Sequence, residues 1–118
     1  MKQPHSISRL KNAFSNSMQG LRAAFVREAA FREETLLALL LIVVASCVSV
    51  STVERILLLG SVLIVLIIEL LNSSIEKLVD RVSEEVHPLS KYVKDAASAS
   101  VFLSLVLLVV VWSLIFFG

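Results

Sequence analysis

Three carboxylates and an amide recur at helical spacing along a largely apolar stretch, ILLLGSVLIVLIIELLNSSIEKLVD at residues 56–80. At 100° per residue, Asn72, Glu76 and Asp80 fall within about 60° of Glu69 around a helix axis. Three carboxylates and an amide therefore share one stripe, which rises about 16 Å from Glu69 to Asp80. A carboxylate beside lipid costs free energy, so it indicates a functional site. The alternative, that the acids only mark the end of a membrane span, suits Asp80 and Glu76 but explains Glu69 poorly.

These residue types could together transfer a phosphoryl group to a hydroxyl delivered from the lipid phase. Glu28 and Glu76 fall at one predicted depth near Lys and Arg side chains, and Mg²⁺ that carries phosphates prefers oxygen ligands of this kind. Glu69, which lies deeper, could accept the hydroxyl proton. Phosphoryl transfer requires such a metal, such cations and a positioned base. The sequence has neither a GxxxxGK[ST] loop nor the protein-kinase signature motifs, so no motif establishes nucleotide binding.

The composition is that of a membrane protein. Hydrophobic residues make up 57% of the 118 residues, above the roughly 45–50% of typical soluble domains. The length predicts a single membrane domain over residues 1–118. The only cysteine, Cys47, excludes an internal disulfide and a CxxC metal or redox site. Polar residues precede the first long apolar run, so no cleaved signal peptide is expected.

The segment 7–31 predicts an amphipathic helix. Leu10, Phe14, Leu21 and Phe25 share one face of such a helix, and basic residues occupy the other. A basic amphipathic helix of this kind lies in the membrane interface with its apolar face down. A soluble helix packed on a protein core is the alternative.

Three apolar segments follow and predict three transmembrane helices, at 35–52, at 56–80 with a cytoplasmic extension, and at 94–117. The first is short for a span of about 20 residues, so flanking residues are expected to complete it. Proline biases its predecessor away from α conformation, so the second helix is expected to end before His87-Pro88. Glu28 and Arg32 have the spacing of an ordinary ion pair on a helix surface.

The distribution of basic residues predicts the orientation. Six Lys or Arg residues precede residue 33, four lie in the loop 77–94, and only Arg55 lies in the first connection. The positive-inside rule therefore places the N-terminus and the loop 77–94 in the cytoplasm and, after three crossings, the C-terminus in the periplasm. The candidate groups then gather at the cytoplasmic membrane surface. Three spans cannot easily enclose both a nucleotide and a lipid hydroxyl, which predicts a homo-oligomer.

Four runs of sequence carry a resemblance to a known family: GLRAAF (20–25), EAAFREE (28–34), ELLNSSIEKLVDR (69–81) and KDAASA (94–99). With them, nearly the whole chain resembles the bacterial integral-membrane diacylglycerol kinases. The resemblance implies an all-α homotrimer of three-span subunits, each preceded by an interfacial helix, with composite active sites between neighbouring subunits. It also implies that MgATP phosphorylates the hydroxyl of diacylglycerol at the cytoplasmic face of the bacterial inner membrane.

The resemblance further implies a role for individual residues. Glu69 would be the general base, and Glu28 and Glu76 would hold the metal. The residues at the nucleotide would be Arg9, Asn16, Glu28, Asn72, Glu76, Glu85, His87, Lys94 and Asp95. The residues near the lipid would be Arg9, Ala30, Phe31, Glu34, Arg55, Glu69, Ser98 and Trp112. The chain departs from the family pattern at three positions: Met18 replaces an aromatic residue, Asn16 replaces a tyrosine, and Ala97 replaces a residue that is commonly glycine. These positions belong to the nucleotide edge and the fine lipid contacts.

Several alternatives stay open. Undecaprenol kinases share the stripe and the HPLSKYVKD pattern at 87–95. A small proton-coupled transporter could use Glu69, but such carriers place the acid near the bilayer midplane. A purely structural membrane subunit explains none of the polar stripe. Lys94 and Asp95 could form a juxtamembrane ion pair, Arg9 could contact a lipid headgroup, and no nucleic-acid partner is expected.

Overall fold

A computed structural model describes residues 5–82 and 87–118 of the chain. All the regular secondary structure in these residues is α-helical. Four helices cover these residues: α1 (His5–Arg27), α2 (Ala29–Cys47), α3 (Thr52–Val82) and α4 (Pro88–Phe117). No β-strand occurs in the same residues. The predicted all-α class is therefore confirmed, whereas a single domain over 1–118 stays a prediction.

A single residue, Glu28, separates the first two helices. Its backbone is extended (φ −108°, ψ 108°), so the helix predicted over residues 7–31 ends just before it. The Arg32 guanidinium reaches back to the carbonyl oxygens of Phe25 at 2.8 Å and Val26 at 3.2 Å. These carbonyls lie in the last turn of α1, where helix carbonyls lack intrahelical partners, so Arg32 stabilises the junction. Arg32 thus bonds to main-chain oxygens and not, as its spacing suggested, to Glu28.

Side chains in and next to the connection between α2 and α3 stabilise it through hydrogen bonds. Ser51 and Glu54 form a reciprocal capping box, in which the Glu54 N–H donates to Ser51 Oγ (3.1 Å) and the Ser51 N–H donates to Glu54 Oε1 (3.0 Å). The Arg55 guanidinium donates to the carbonyl oxygens of Ala45 (2.6 Å) and Val48 (3.1 Å) at the C-terminal end of α2. These bonds fix where α2 stops and α3 begins.

Helices α3 and α4 run antiparallel, and two contacts fix their register. Near the end of α3, Asp80 pairs with Lys94 of α4 at 2.6 Å. Two-thirds of the way back along α3, Ser61 Oγ accepts a 3.1 Å hydrogen bond from the Trp112 indole N–H. The end of α3 therefore lies beside the start of α4.

The start of α4 shows how proline sets a helix boundary. His87 has an extended backbone (φ −120°, ψ 138°), as expected for the residue before a proline. Its Nδ1 accepts a 3.0 Å hydrogen bond from the Leu89 N–H and so caps the helix, with Pro88 in the first turn. Helix α4 therefore begins at Pro88, ahead of the predicted span 94–117.

Helix α3 lies between α2 and α4 and supplies most of the buried side chains. Its buried residues share one face at helical spacing; they are Leu58, Ser61, Val62, Val65 and Glu69. Complete burial of one leucine or valine side chain contributes about 1.5–3 kcal/mol. Helix α4 buries only Ala97 and Ser104, so most of its apolar surface faces outward.

Two helices of the described residues, α3 and α4, are long and apolar enough to cross a membrane. Helix α2, predicted as a span over 35–52, ends at Cys47 and carries Arg32, Glu33 and Glu34 in its first half. The third crossing therefore stays a prediction. Large apolar side chains are nevertheless exposed along α2, α3 and α4, as expected for surfaces that face lipid or other subunits.

Candidate active site

The antiparallel packing of α2, α3 and α4 collects charged and amide side chains at one end of the bundle. The start of α2 and the start of α4 both meet the C-terminal half of α3 there. We call this region the acidic end. Its members are Glu28, Glu34, Glu69, Asn72, Glu76, Lys77, Asp80 and Lys94.

Glu69 lies on the inner face of α3, on the same stripe as the apolar core. Val62 and Val65 precede it by two turns and one turn, and its own residue surface is only 7% exposed. Asn72 and Glu76 continue the face and are half-buried, whereas Asp80 is exposed. The stripe predicted from the sequence therefore starts inside the bundle and ends in the open.

Unpaired polar atoms also concentrate at this end. Among the described residues, three buried side-chain oxygens have no hydrogen-bond partner: Glu34 Oε2, Thr35 Oγ1 and Asn72 Oδ1. The group opposite the Glu34 carboxyl is the Glu69 carboxyl, which comes from the facing helix. A buried oxygen without a donor costs about 1–3 kcal/mol. Such a cost is typical of sites that bind a ligand or move a proton.

A second pair of helices meets at Glu28. The Lys77 ammonium lies 3.0 Å from Glu28 Oε2, and Glu76 and Asp80 also lie near that ammonium. The Lys77 side chain is 68% exposed, so the ion pair holds the Glu28 carboxylate in place only weakly. Glu28, at the junction of α1 and α2, and Glu76, on α3, are thus brought to the same lysine.

The donor set at this point suits Mg²⁺. Glu28 and Glu76 offer hard carboxylate oxygens, and the unpaired Asn72 Oδ1 adds an amide oxygen on the same face of α3 as Glu76. Mg²⁺ typically binds one or two carboxylates and completes its shell with substrate phosphates and water. The described residues hold no cluster of three or more metal-ligating His, Cys, Asp or Glu side chains.

Two ion pairs occupy the start of α4. Lys94 bonds to Asp80 and Lys91 bonds to Asp95, each at 2.6 Å. The juxtamembrane pair between Lys94 and Asp95 that their adjacency suggested is therefore replaced by these two. Both predicted nucleotide residues keep a charged partner, and both pairs are largely exposed and open to exchange with a ligand.

The remaining predicted nucleotide residues are spread out. Arg9 and Asn16 lie exposed on α1, outside the acidic end. His87 caps α4 through Nδ1. Glu85 lies outside the described residues.

The residues predicted near the lipid divide between the two ends of the bundle. Ala30 and Ser98 are exposed, and Phe31 is buried near the start of α2. Arg55 and Trp112 lie far from Glu69: Arg55 bonds to the carbonyls that end α2, and Trp112 bonds to Ser61. In the single chain these two residues hold helices together.

A cleft of about 540 Å³ lies between α1 and α3, beside Glu28. Its volume is within the range of about 300–1,000 Å³ typical of small-molecule sites. Small and apolar residues of both helices, such as Leu21 and Leu70, form most of its wall, and polar or cationic side chains add to it at Ser17, Arg27, Ser73, Ser74 and Lys77. The carboxylate of Glu28 therefore faces an open space with hydroxyl and cationic groups around it.

Sequence reasoning missed Lys77. On a helical wheel Lys77 lies about 80° from Glu69 and thus off the predicted stripe. Its partner Glu28 is distant in sequence, so no local pattern pairs them. The available signal was that Lys77 directly follows Glu76, which already counted as a metal ligand.

Comparison with known proteins gives consistent matches over most of the chain. A family model described as prokaryotic diacylglycerol kinase matches residues 15–116. The chain is 49% identical to a protein named diacylglycerol kinase from Pseudomonas aeruginosa over 112 residues, which cover 95% of this chain and 91% of that protein. It is 44% identical to the protein of the same name from Haemophilus influenzae, with 94% of each covered. Identity to the protein from Escherichia coli K12 is 43%, with 92% and 88% covered.

Proposed function

The chain belongs to the prokaryotic diacylglycerol kinase family, and from this premise we propose that it transfers the γ-phosphate of ATP to the hydroxyl of diacylglycerol. The product is phosphatidic acid. The enzyme is a phosphotransferase that acts on an alcohol group, with a lipid as its acceptor. The reaction takes place at the cytoplasmic face of the bacterial inner membrane.

The observation that carries this proposal is the burial of Glu69. Glu69 lies on the inner face of α3, is 7% exposed and is preceded by two apolar turns. A carboxyl group at such a position contributes nothing evident to the packing of the helices. The Glu69 carboxyl adjoins the unpaired Oε2 of Glu34 and lies one turn from the unpaired Oδ1 of Asn72. A lipid hydroxyl that reaches the polar end of this apolar face meets a proton acceptor there.

The chemistry assigns a task to each group at the acidic end. Glu69 accepts the hydroxyl proton while the lipid oxygen attacks the γ-phosphorus and the bond to the β-phosphate oxygen breaks. The apolar turns before Glu69 exclude water, which would otherwise compete with the lipid as acceptor. Glu28 and Glu76 would hold Mg²⁺, and Asn72 would support that site. When bound, the metal neutralises phosphate charge.

The other assignments follow the family resemblance. The nucleotide is bound by Arg9, Asn16, Glu28, Asn72, Glu76, Glu85, His87, Lys94 and Asp95. The lipid is bound by Arg9, Ala30, Phe31, Glu34, Arg55, Glu69, Ser98 and Trp112. The open cleft beside Glu28 and the exposed ion pairs at the start of α4 support a nucleotide at this side of the bundle.

Assembly into a homotrimer completes the proposal. Each subunit crosses the membrane three times, with its N-terminus cytoplasmic and its C-terminus periplasmic, and each active site lies between neighbouring subunits. The exposed apolar faces of α2, α3 and α4 and the scattered positions of Arg9 and Asn16 support walls supplied by a second copy. A mass measurement on active, detergent-solubilised protein tests this, and a monomer in active samples would contradict it.

The function is tested by phosphate transfer from radiolabelled ATP in mixed micelles, with diacylglycerol and undecaprenol offered side by side, with and without Mg²⁺. We expect labelled phosphatidic acid, formed only with Mg²⁺ and absent with Glu69→Gln. Glu33→Gln, which removes an exposed carboxylate one residue before Glu34, is the matched control and retains activity. Labelled undecaprenyl phosphate alone would transfer the function to undecaprenol kinase. No transfer to either lipid would contradict the proposal.

A further inference from the structure

Two carboxyl groups from facing helices meet at the acidic end. Glu34 projects from the first half of α2 and Glu69 from the inner face of α3, and their carboxyl groups face each other closely enough to share a hydrogen bond once one of them carries a proton. Two ionised carboxylates have only acceptor oxygens, so a hydrogen bond between them requires one proton on the pair. No other described group donates to Glu34 Oε2.

Glu34 lies at the boundary between an apolar cavity and the surface. A cavity of about 100 Å³ begins at Glu34 and runs along apolar side chains of three helices, among them Leu41, Val62, Leu66 and Leu105. Glu69 is buried, whereas Glu34 is half-buried and follows the exposed Glu33. Water therefore reaches the pair more easily at Glu34 than at Glu69.

We infer that Glu34 is the positioning residue through which the buried Glu69 carboxyl exchanges its proton with water, an inference that rests on the proposed function. At rest, the pair holds one proton on Glu34, which donates to the Glu69 carboxylate and orients it. This arrangement leaves Glu69 free to accept a second proton.

The proton balance of one turnover is complete. The lipid O–H bond breaks as the O–P bond forms, and the proton passes to Glu69, so that both carboxyls are protonated. Glu34 then releases its own proton to water on the exposed side. The proton on Glu69 passes to Glu34, which restores the resting pair with one proton. The net proton released equals the one that the kinase reaction takes from the alcohol, and Glu69 is ready again although it never contacts bulk water.

Glu34→Gln tests this step because glutamine keeps the shape and an N–H donor toward Glu69 but carries no exchangeable carboxyl proton. We expect kcat to fall about tenfold or more, while KM for diacylglycerol changes less than about threefold, because glutamine keeps the size and polar character of the Glu34 contact with the lipid but cannot release a proton. Glu34→Asp restores a carboxyl and should recover most of kcat. Glu33→Gln is the matched control and should keep the wild-type kcat.

Three kinetic results would overturn the inference: unchanged kcat in Glu34→Gln, a rise in KM alone, or no recovery in Glu34→Asp. A second measurement needs no activity and no variant to fold. Infrared spectra of the wild-type protein at neutral pH should contain a protonated-carboxyl band that shifts in D₂O. Its absence would overturn the inference, and in folded Glu34→Gln the band should be lost.

The two proposals fail in different ways. If the wild-type protein phosphorylates no lipid, the proposed function fails, and the infrared band still reports on the carboxyl pair. If the wild-type protein is active and Glu69→Gln is inactive while Glu34→Gln equals wild type, only the role of Glu34 fails.

Discussion

At the end of the bundle where α2 passes into α3, polar side chains find partners within the chain. Arg55 bonds to carbonyls that would otherwise end α2 unpaired, and Ser51 and Glu54 cap the first turn of α3. A little farther along, Ser61 accepts from Trp112 and donates to the Leu58 carbonyl at 2.9 Å. Apart from the bond between Ser61 and Leu58, which lies within α3, these bonds close a helix end or join two helices, which is a structural task.

The acidic end has the opposite character. There the buried Glu69 faces another carboxyl, and the unpaired oxygens of Glu34, Thr35 and Asn72 all lie within a few turns of it. The charged pairs that do form, such as Glu28 with Lys77, are exposed and easily exchanged. The difference teaches that the two ends of one hairpin serve different purposes: the first end stabilises the fold, and the second retains unfavourable polar groups that a substrate and a metal would satisfy.

Among changes that leave Glu69 in place, the largest effect is expected at the acidic end, from Glu76→Gln. The amide keeps the size of the side chain but removes a charged metal ligand. We expect the rate of phosphate transfer to fall about 10²-fold or more, since metal stabilisation of phosphoryl transfer is worth several kcal/mol. A Mg²⁺ titration should also show that the variant needs more metal.

Glu54→Gln is the control for that change, on the same helix but at the other end. Glutamine can also serve in a capping box, so both stability and activity should stay close to wild type. A loss of activity in Glu54→Gln as large as that in Glu76→Gln would contradict the distinction between the two ends.

Arg55→Met is expected to act on stability. A hydrogen bond from a charged donor contributes about 1.5–3 kcal/mol to stability. The variant leaves the carbonyls that end α2 without the Arg55 donor. The free energy of unfolding in detergent should fall by an amount in this range. The free energy of unfolding of Arg55→Lys should lie between those of the wild-type protein and Arg55→Met, because a single ammonium cannot span several carbonyls as the guanidinium fork does.

The activity of the folded Arg55→Met protein sharpens the comparison further. Activity that falls only with the amount of folded protein indicates a structural role alone. If KM for diacylglycerol also rises in the folded protein, Arg55 contacts the lipid as well, as the family resemblance implies.

The smallest effect is expected from Ser51→Ala, which removes the cap at the start of α3. Loss of an N-cap side chain costs about 1 kcal/mol, so the unfolding midpoint in denaturant should shift slightly without a change in kcat. Ser49→Ala, an exposed serine in the same connection, is the control and should show no shift. Equal shifts in the two variants would remove the evidence for the capping box.

The stripe on α3 could be predicted because it depends only on the period of one helix. Asn72 and Glu76 follow Glu69 at three and seven residues, so a helical wheel places them on one face without knowledge of any other element. The structure adds that this face is the buried one and that it also carries the buried apolar residues at 58, 62 and 65. The catalytic role of Glu69 stays a prediction.

Contacts between helices could not be predicted in the same way. The break at Glu28 is invisible in a segment whose spacing suits one continuous helix, because it depends on Arg32 reaching carbonyls of the preceding turn. The pairing of Glu28 with Lys77 and the meeting of Glu34 with Glu69 depend on the register between α2 and α3. That register is set partly by Arg55, at the far end of both helices.

One measurement compares the two ends most directly: kcat and the free energy of unfolding of Glu69→Gln and Ser61→Ala, side by side. Both residues lie on the buried face of α3, eight positions apart. We expect Glu69→Gln to lose about 10²–10⁴-fold in kcat with no loss of stability, since it removes a buried acid without removing a needed bond. We expect Ser61→Ala to keep kcat and to lose about 1–3 kcal/mol of stability, since it leaves the Trp112 N–H without its partner. Full activity in Glu69→Gln, or a folded Ser61→Ala protein without activity, would contradict the account.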